Sequence, residues 1–304
     1  MHIVTSNKTL GSICALLATL VWSGNFIIAR GLGDVLPPLT LATLRWATAS
    51  IVLLPFTAHI MWRERALLRT HWKHLFISAM FGVTIFNSFI YKAGHTTEAL
   101  NLSLIATTTP VFVVILSRIY FGEAITRFRA MGLLVSISGI VLLVTRGQLQ
   151  VLQDLSFHEG DLWMLGAGFL WAVYSILLQK KPKTINPYAY LETTFIIGLI
   201  PLIFGAFIEQ SISPQFSCTP TIIGSVLYIG IGASLIAYVL WTKAMATIGP
   251  TTASFIYYTL PAFCAVEAYF ILNESTSWAQ GVGFLLIVSG ILLATHPRFN
   301  PQKL

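Results

Sequence analysis

Ten times along the chain an apolar run long enough to cross a bilayer recurs, at about 10–30, 39–61, 74–93, 99–120, 129–145, 160–179, 188–207, 221–244, 251–272 and 277–295. About 20 residues of helix span a hydrocarbon core of roughly 30 Å. A segment in lipid must satisfy its own backbone hydrogen bonds, so runs of this kind are helices. The separators "GLGDVLPP", "WRERALLRTH", "QKKPKTINP" and "TIGPT" supply the Pro, Gly and charge that the runs lack. Composition agrees: 56% of the 304 residues are hydrophobic and 10% are charged, where a soluble domain carries about 25%. The sequence predicts an all-α integral membrane protein with ten transmembrane helices.

The net charge of +7 follows from topology and implies no nucleic acid. Lys8, Arg63, Arg65, Arg69, Lys73, Arg118, Arg127, Arg129, Lys180, Lys181, Lys183, Lys243, Arg298 and Lys303 fall on the side of the N-terminus; Arg30, Lys92 and Arg146 fall on the other. The positive-inside rule then puts both termini in the cytoplasm. Cys14, Cys218 and Cys264 have no paired spacing and suggest neither disulfide nor metal. The first run lacks a small-residue cleavage site and is expected to be a retained helix.

The chain also repeats itself. "PVFVVILSRIYFGE" (110–123) and "PAFCAVEAYFILNE" (261–274) lie 151 residues apart, as do "SGIVLL" (138–143) and "SGILLA" (289–294). Gly11, Trp22 and Pro38 match Gly160, Trp171 and Pro187 at a separation of 149. Each half holds five spans, and an odd number inverts the second half relative to the first. The expected organisation is a first five-helix repeat at 10–145, a connecting loop at 146–159, a second repeat at 160–295 and a cytoplasmic tail at 296–304. Inverted repeats of this kind characterise secondary transporters.

The halves resemble the EamA-type repeats of the drug/metabolite transporter superfamily. The resemblance is carried by "LVWSGNFIIAR", Arg45 in "TLRWATAS", "TTTPVFVVILSRIYFGEAIT" with "MGLLVSISGIVLL", and the second copies "LPAFCAVEAYFILNEST" with "GVGFLLIVSGILLA". It covers nearly the whole chain. It implies a ten-helix metabolite carrier with a central cavity lined by spans 1, 3, 4, 6, 8 and 9, with amino acids or related compounds among the family's substrates. The family's small four-helix multidrug members carry a carboxylate in span 1, and span 1 here has none.

Within the spans, Arg45, Glu192 and Glu267 are the charged residues well away from the ends. A charge there needs a partner or a water-filled cavity. Arg45 and Glu267 each lie roughly 8 Å outward of their span centres at 1.5 Å per residue, which makes an Arg45–Glu267 pair sterically possible. Arg45 otherwise ties span 2 to a neighbour. Glu267, whose counterpart in the first half is Leu116, is the candidate for carrying a proton or facing a substrate amine, with a structural ion pair as the plain alternative. Glu192 reads as a structural hydrogen bond or a side chain reaching toward the cytoplasm. Trp22 and Asn25 share a face of span 1, and Trp171 and Tyr174 the equivalent face of span 6. Asn87, Thr109, Tyr238, Trp241 and Tyr257 are further candidates for contacting a substrate; aromatic packing is the plain alternative for each ring. Pro110 and Pro261 sit near mid-span, where each frees a carbonyl one turn earlier, and are the candidate hinges. Trp46, Trp62 and Trp278 read as interface anchors. Glu123 and Glu274, with Thr126 and Ser277 three residues later, read as helix-entry structure, "SWAQ" (277–280) being a capping box.

No HExxH, GxSxG or phosphate-binding loop appears, and the Asp and His residues lie in loops, tails or span ends, so neither an intramembrane enzyme nor direct use of ATP is indicated. No cofactor is expected. The reading is a secondary transporter in a bacterial inner membrane that exports a small metabolite, an amino acid or derivative, by alternating access, with a coupled proton and lipid as its other partners. The alternatives are a non-transporting membrane scaffold, or a carrier of a drug-like cation or a nucleotide-derived metabolite.

Overall fold

A computed structural model describes residues 2–32, 35–96, 102, 105–145, 147–148, 150, 159–212, 219–272 and 278–295. The helices are α1 (His2–Gly31), α2 (Pro38–Arg63), a short α3 (Arg65–Thr70), α4 (Trp72–Ala79), α5 (Ile85–Thr96), α6 (Thr109–Phe121), α7 (Arg127–Val144), α8 (Glu159–Gln179), α9 (Pro187–Ile212), α10 (Pro220–Leu227), α11 (Ala237–Tyr257), α12 (Leu260–Leu272) and α13 (Trp278–Thr295). A π-helical stretch, Met80–Thr84, joins α4 to α5, and a second, Tyr228–Ile236, joins α10 to α11.

The expected ten spans are seen in part. Among the described residues six stretches are long and apolar enough to cross a membrane: Lys8–Ile28, Pro38–Arg63, Trp72–Thr96, Glu159–Gln179, Pro187–Ser211 and Pro220–Tyr257. Shorter apolar helices follow at Thr109–Phe121 and Gly281–Thr295. The 38 residues of Pro220–Tyr257 would measure roughly 57 Å as one rod, nearly twice a hydrocarbon core. They bend at Gly249, whose φ of 76° and ψ of 168° leave the helix; Pro250 follows and starts the next segment without needing an N–H. The runs at 99–120 and 251–272 are each interrupted, by turns at 107–108 and 258–259.

Those interruptions change the meaning of the two prolines. Pro110 and Pro261 sit in the first turns of α6 and α12 rather than inside continuous helices. There the missing N–H has no partner to lose. Just before each, a threonine hydroxyl closes the preceding turn: Thr108 donates to the Ile105 carbonyl at 2.7 Å and Thr259 to the Ile256 carbonyl at 2.8 Å.

Matched segments have matched lengths. α2 and α9 both have 26 residues, α6 and α12 both 13, and α7 and α13 both 18. Equivalent helices also pack on each other. On α7 and α13, a methyl group placed on Gly132 would lie 2.5 Å from the Gly290 carbonyl oxygen, and one on Gly139 would lie 2.7 Å from that of Gly283. Residue numbers rise on one helix as they fall on the other, so this pair is antiparallel. α2 and α9 are antiparallel too and cap each other's starts. Glu209 accepts from the backbone N–H groups of Leu39 at 3.0 Å and Thr40 at 2.8 Å, and Glu64 accepts from that of Asn186 at 2.9 Å. Each carboxylate meets the positive end of a helix dipole.

The surface is that of a membrane protein. Ile51, Phe56 and Phe207 are exposed by 71%, 71% and 78%, while Arg45, Asn87 and Glu192 are buried. Trp62 and Trp278 are exposed, but Trp46 is wholly buried against Phe195 and Tyr238, which corrects its assignment as an interface anchor. Glu192 is wholly buried and neither oxygen receives a hydrogen bond, so it does not reach toward the cytoplasm; Ser50 is the polar side chain beside it. At the start of α7, Glu123 pairs with Arg129 at 3.0 Å and Thr126 accepts from the Arg129 N–H at 3.2 Å, a helix-entry cap. Glu274 and Ser277 lie outside the described residues.

Gly132→Ala should destabilise the protein by about 1–3 kcal/mol, because the new methyl meets backbone that cannot rotate away. The midpoint of thermal unfolding in detergent checks it; an unchanged midpoint would contradict the close approach of α7 and α13.

Candidate functional site

The helical period brings side chains three or four residues apart onto one face. α1 thus presents Trp22 with Asn25 and Phe26, α5 presents Phe86 with Ile90, and α8 presents Trp171. With Arg45 of α2 and Tyr257 of α11 these line a cavity of about 20 Å³, room for about one water. Its walls are rings packed on rings. Trp22 meets Trp171 and Trp241 at centroid distances of 5.1 Å each, Tyr238 at 5.9 Å and Tyr257 at 6.2 Å. Phe86 meets Trp171 at 4.7 Å, and Tyr174 meets Trp171 at 5.3 Å. Each such pair adds about 0.5–1.5 kcal/mol beyond burial.

The two π-helical stretches organise the polar groups. In a π turn the backbone bonds shift from i+4 to i+5, and such turns are frequent at functional sites. The carbonyl of Ala233 accepts from the Trp22 indole N–H at 2.8 Å and from Arg45 Nη2 at 3.1 Å. The carbonyl of Gly82, 151 residues earlier, accepts from the Tyr238 hydroxyl at 2.7 Å and from Asn87 Nδ2 at 3.4 Å. Asn87 Nδ2 also reaches the Val83 carbonyl at 2.9 Å. Equivalent carbonyls therefore hold different rings of the aromatic assembly, Trp22 in one case and Tyr238 in the other.

Arg45 is 2% exposed. Its Nε donates to the Ser234 hydroxyl, and its Nη1 to the Tyr91 hydroxyl at 3.1 Å and to Asn25 Oδ1 at 3.3 Å. Tyr91 in turn donates to Asn25 Oδ1 at 3.3 Å. One arginine thus ties α2 to α1, α5 and the second π stretch. The Arg45–Glu267 pair does not form. Glu267 projects from α12 onto α1, where its Oε1 accepts from Ser23 Oγ at 2.7 Å. Ser23 follows Trp22 and points about 100° away around an ideal helix, which puts Glu267 outside the cavity. The same hydroxyl lies 2.5 Å from the Leu20 carbonyl oxygen. A serine has one proton, so when it is given to Leu20 the carboxyl group must supply the proton of the other contact.

The other sequence-chosen residues fall in three places. Trp22, Asn25, Arg45, Trp171 and Tyr257 line the cavity; Tyr174, Tyr238 and Trp241 back it. Asn87 is spent on the π stretch, and Thr109 packs against Gly168 of α8 rather than entering the cavity. Sequence reasoning missed Phe86, Ile90, Tyr91 and Ser234. Tyr91 lies one turn from Asn87 on the same helix, a usable signal; Ser234 matches Val83 in the other half and had none.

This arrangement, polar groups and an aromatic-lined cavity inside a bundle of apolar helices, defines a multi-pass membrane protein of the carrier type. The chain belongs to the EamA-like transporter family, which it matches twice, over residues 9–145 and 158–295. It is 33% identical to an uncharacterized transporter of Archaeoglobus fulgidus, over 92% of this chain and 95% of that one. It is 22% identical to the uncharacterized transporter YyaM of Bacillus subtilis, over 97% and 98%, and 26% identical to a chloroplastic WAT1-related protein of Arabidopsis thaliana, over 92% and 68%. A crystal structure at 20% identity superposes with a TM-score of 0.76 over 94% of this chain and 96% of that one, which shows a common fold.

Trp22→Phe keeps one aromatic ring but removes the indole N–H and part of the buried ring surface. It should cost about 2–3 kcal/mol, a lost buried hydrogen bond plus the space left behind, seen as a lower unfolding midpoint than wild type and a higher one than Trp22→Ala.

Proposed function

We propose that the chain is a secondary transporter that moves a small metabolite, an amino acid or derivative, out of the cell across a bacterial inner membrane. It works by alternating access. Residues 10–145 and 160–295 form two inverted five-helix repeats, joined by the loop 146–159, with both termini and the tail 296–304 in the cytoplasm. The observation that carries this reading is the origin of the cavity: α1, α2 and α5 from the first half, α8 and α11 from the second, contribute side chains to one small space deep in the bundle. The antiparallel packing of α7 on α13 and of α2 on α9 supports inversion, because equivalent helices related by a twofold axis in the membrane plane must run in opposite directions.

In this reading Trp22, Trp171 and Trp241 shape the substrate site, Asn25 and Tyr257 orient polar groups of the substrate, and Tyr238 supports the rings from behind. Asn87 and Thr109 act behind the cavity. The breaks before Pro110 and Pro261 let α6 and α12 tilt as each half opens. Glu267 carries a coupled proton: its contact with Ser23 links α12 to α1, and the proton is lost or gained when those helices part.

Flux of labelled amino acids and related metabolites into proteoliposomes tests the reading. Saturable flux is expected; a scaffold would give none. Glu267→Gln should abolish the pH dependence of that flux while leaving exchange of substrate intact, and an unchanged pH profile would remove Glu267 from coupling.

A further inference from the structure

Arg45 is a buried cation without an anion. Its partners, the Ser234 and Tyr91 hydroxyls, Asn25 Oδ1 and the Ala233 carbonyl, are all neutral. A guanidinium has five N–H groups, so one at Nη2 is left beyond these four contacts. Among the described residues no carboxylate lies against it; Glu267 meets Ser23, and Glu192 lies beside Ser50. Dipoles lower the cost of burying such a charge but do not cancel it. Arg45 nevertheless lines the cavity, together with Asn25, Trp22, Phe86 and Trp171.

We propose that Arg45 is the anion subsite of this cavity, and that the molecule it takes is a small organic carboxylate with a flat apolar body. The proposal rests on the transporter reading above, in which the cavity is the substrate site. The N–H left at Arg45 Nη2 can give a carboxylate one charged hydrogen bond. The aromatic walls take a flat apolar body, which enters by parting the contact between Trp22 and Trp171. Among the described residues no acidic side chain lines the cavity, so an ammonium group on the ligand would be buried without a partner. The order of preference is therefore monoanion, then zwitterion or neutral amide, then cation.

Isothermal titration of the purified full chain in detergent tests this with four probes that share one phenyl ring: phenylpropionate, phenylpropanamide, L-phenylalanine and phenethylamine. The carboxylate should bind at least about tenfold more tightly than its amide, the worth of one charged hydrogen bond, and the amine should bind weakest. Arg45→Gln should erase the advantage of the carboxylate over the amide, and Arg45→Lys should keep part of it. Should Arg45→Gln fail to fold, the order of the four probes on the wild type decides. Equal or tighter binding of the amide or the amine overturns the proposal, as does no binding of the carboxylate at millimolar concentrations. Trp171→Ala separates this failure from that of the cavity itself. If it weakens all binding probes alike while the carboxylate has no advantage, the cavity is the site and the anion class is wrong. If it changes nothing, the site lies elsewhere and both readings fall.

Discussion

Inside a bilayer no water is available to complete a hydrogen bond, and the interior of this protein is arranged around that shortage. Arg45 is the strongest demand. It is met by acceptors from three elements, so the position of α2 relative to α1, α5 and the second π stretch is fixed by one side chain. The π stretches matter for the same reason. Their carbonyls at Gly82 and Ala233 are reachable by side chains from other helices, and Trp22, Tyr238 and Arg45 all use them. Removing the helical regularity at those points creates acceptors where lipid offers none.

The two halves meet in two different ways. Between α7 and α13 the contact is glycine against backbone, close and hard to deform. Around the cavity it is ring against ring, Trp22 on Trp171 and Trp241, with single hydrogen bonds from Trp22 to the Ala233 carbonyl and from Tyr238 to the Gly82 carbonyl crossing between the halves. A seam of the first kind resists separation. A seam of the second kind exchanges one set of aromatic contacts for another at small cost, since rings stack in several geometries of similar energy. Movement about a fixed glycine seam, with opening at the aromatic seam, is how the proposed alternating access would use these two contacts.

Much of this was legible in the sequence because membrane insertion leaves so little freedom. The apolar runs, their separators and the doubled order follow from hydropathy and spacing, and α2, α9, α7 and α13 begin and end where the repeat puts them. Trp22, Asn25, Trp171 and Tyr257 were readable as one site from their matching faces. Other features were hidden. A proline in an apolar run looks like a kink, yet Pro110 and Pro261 start new helices, because the break depends on how the preceding threonine turn is packed. Trp46 sits where an interface residue belongs by distance along the span, yet it is core, since depth along a helix says nothing about which face is turned inward.

The sequence by itself determined that this chain is a helical membrane protein in two related halves, because hydropathy and periodicity are local properties of the chain. Only the tertiary structure decided which polar groups meet. Arg45 and Glu267 lie at similar depths and opposite charge would draw them together, but the rotation of α12 sends Glu267 to Ser23 and that of α2 sends Arg45 to Asn25, Tyr91 and Ser234. Helix rotation is set by the packing of many side chains at once, and no single stretch of sequence carries that information.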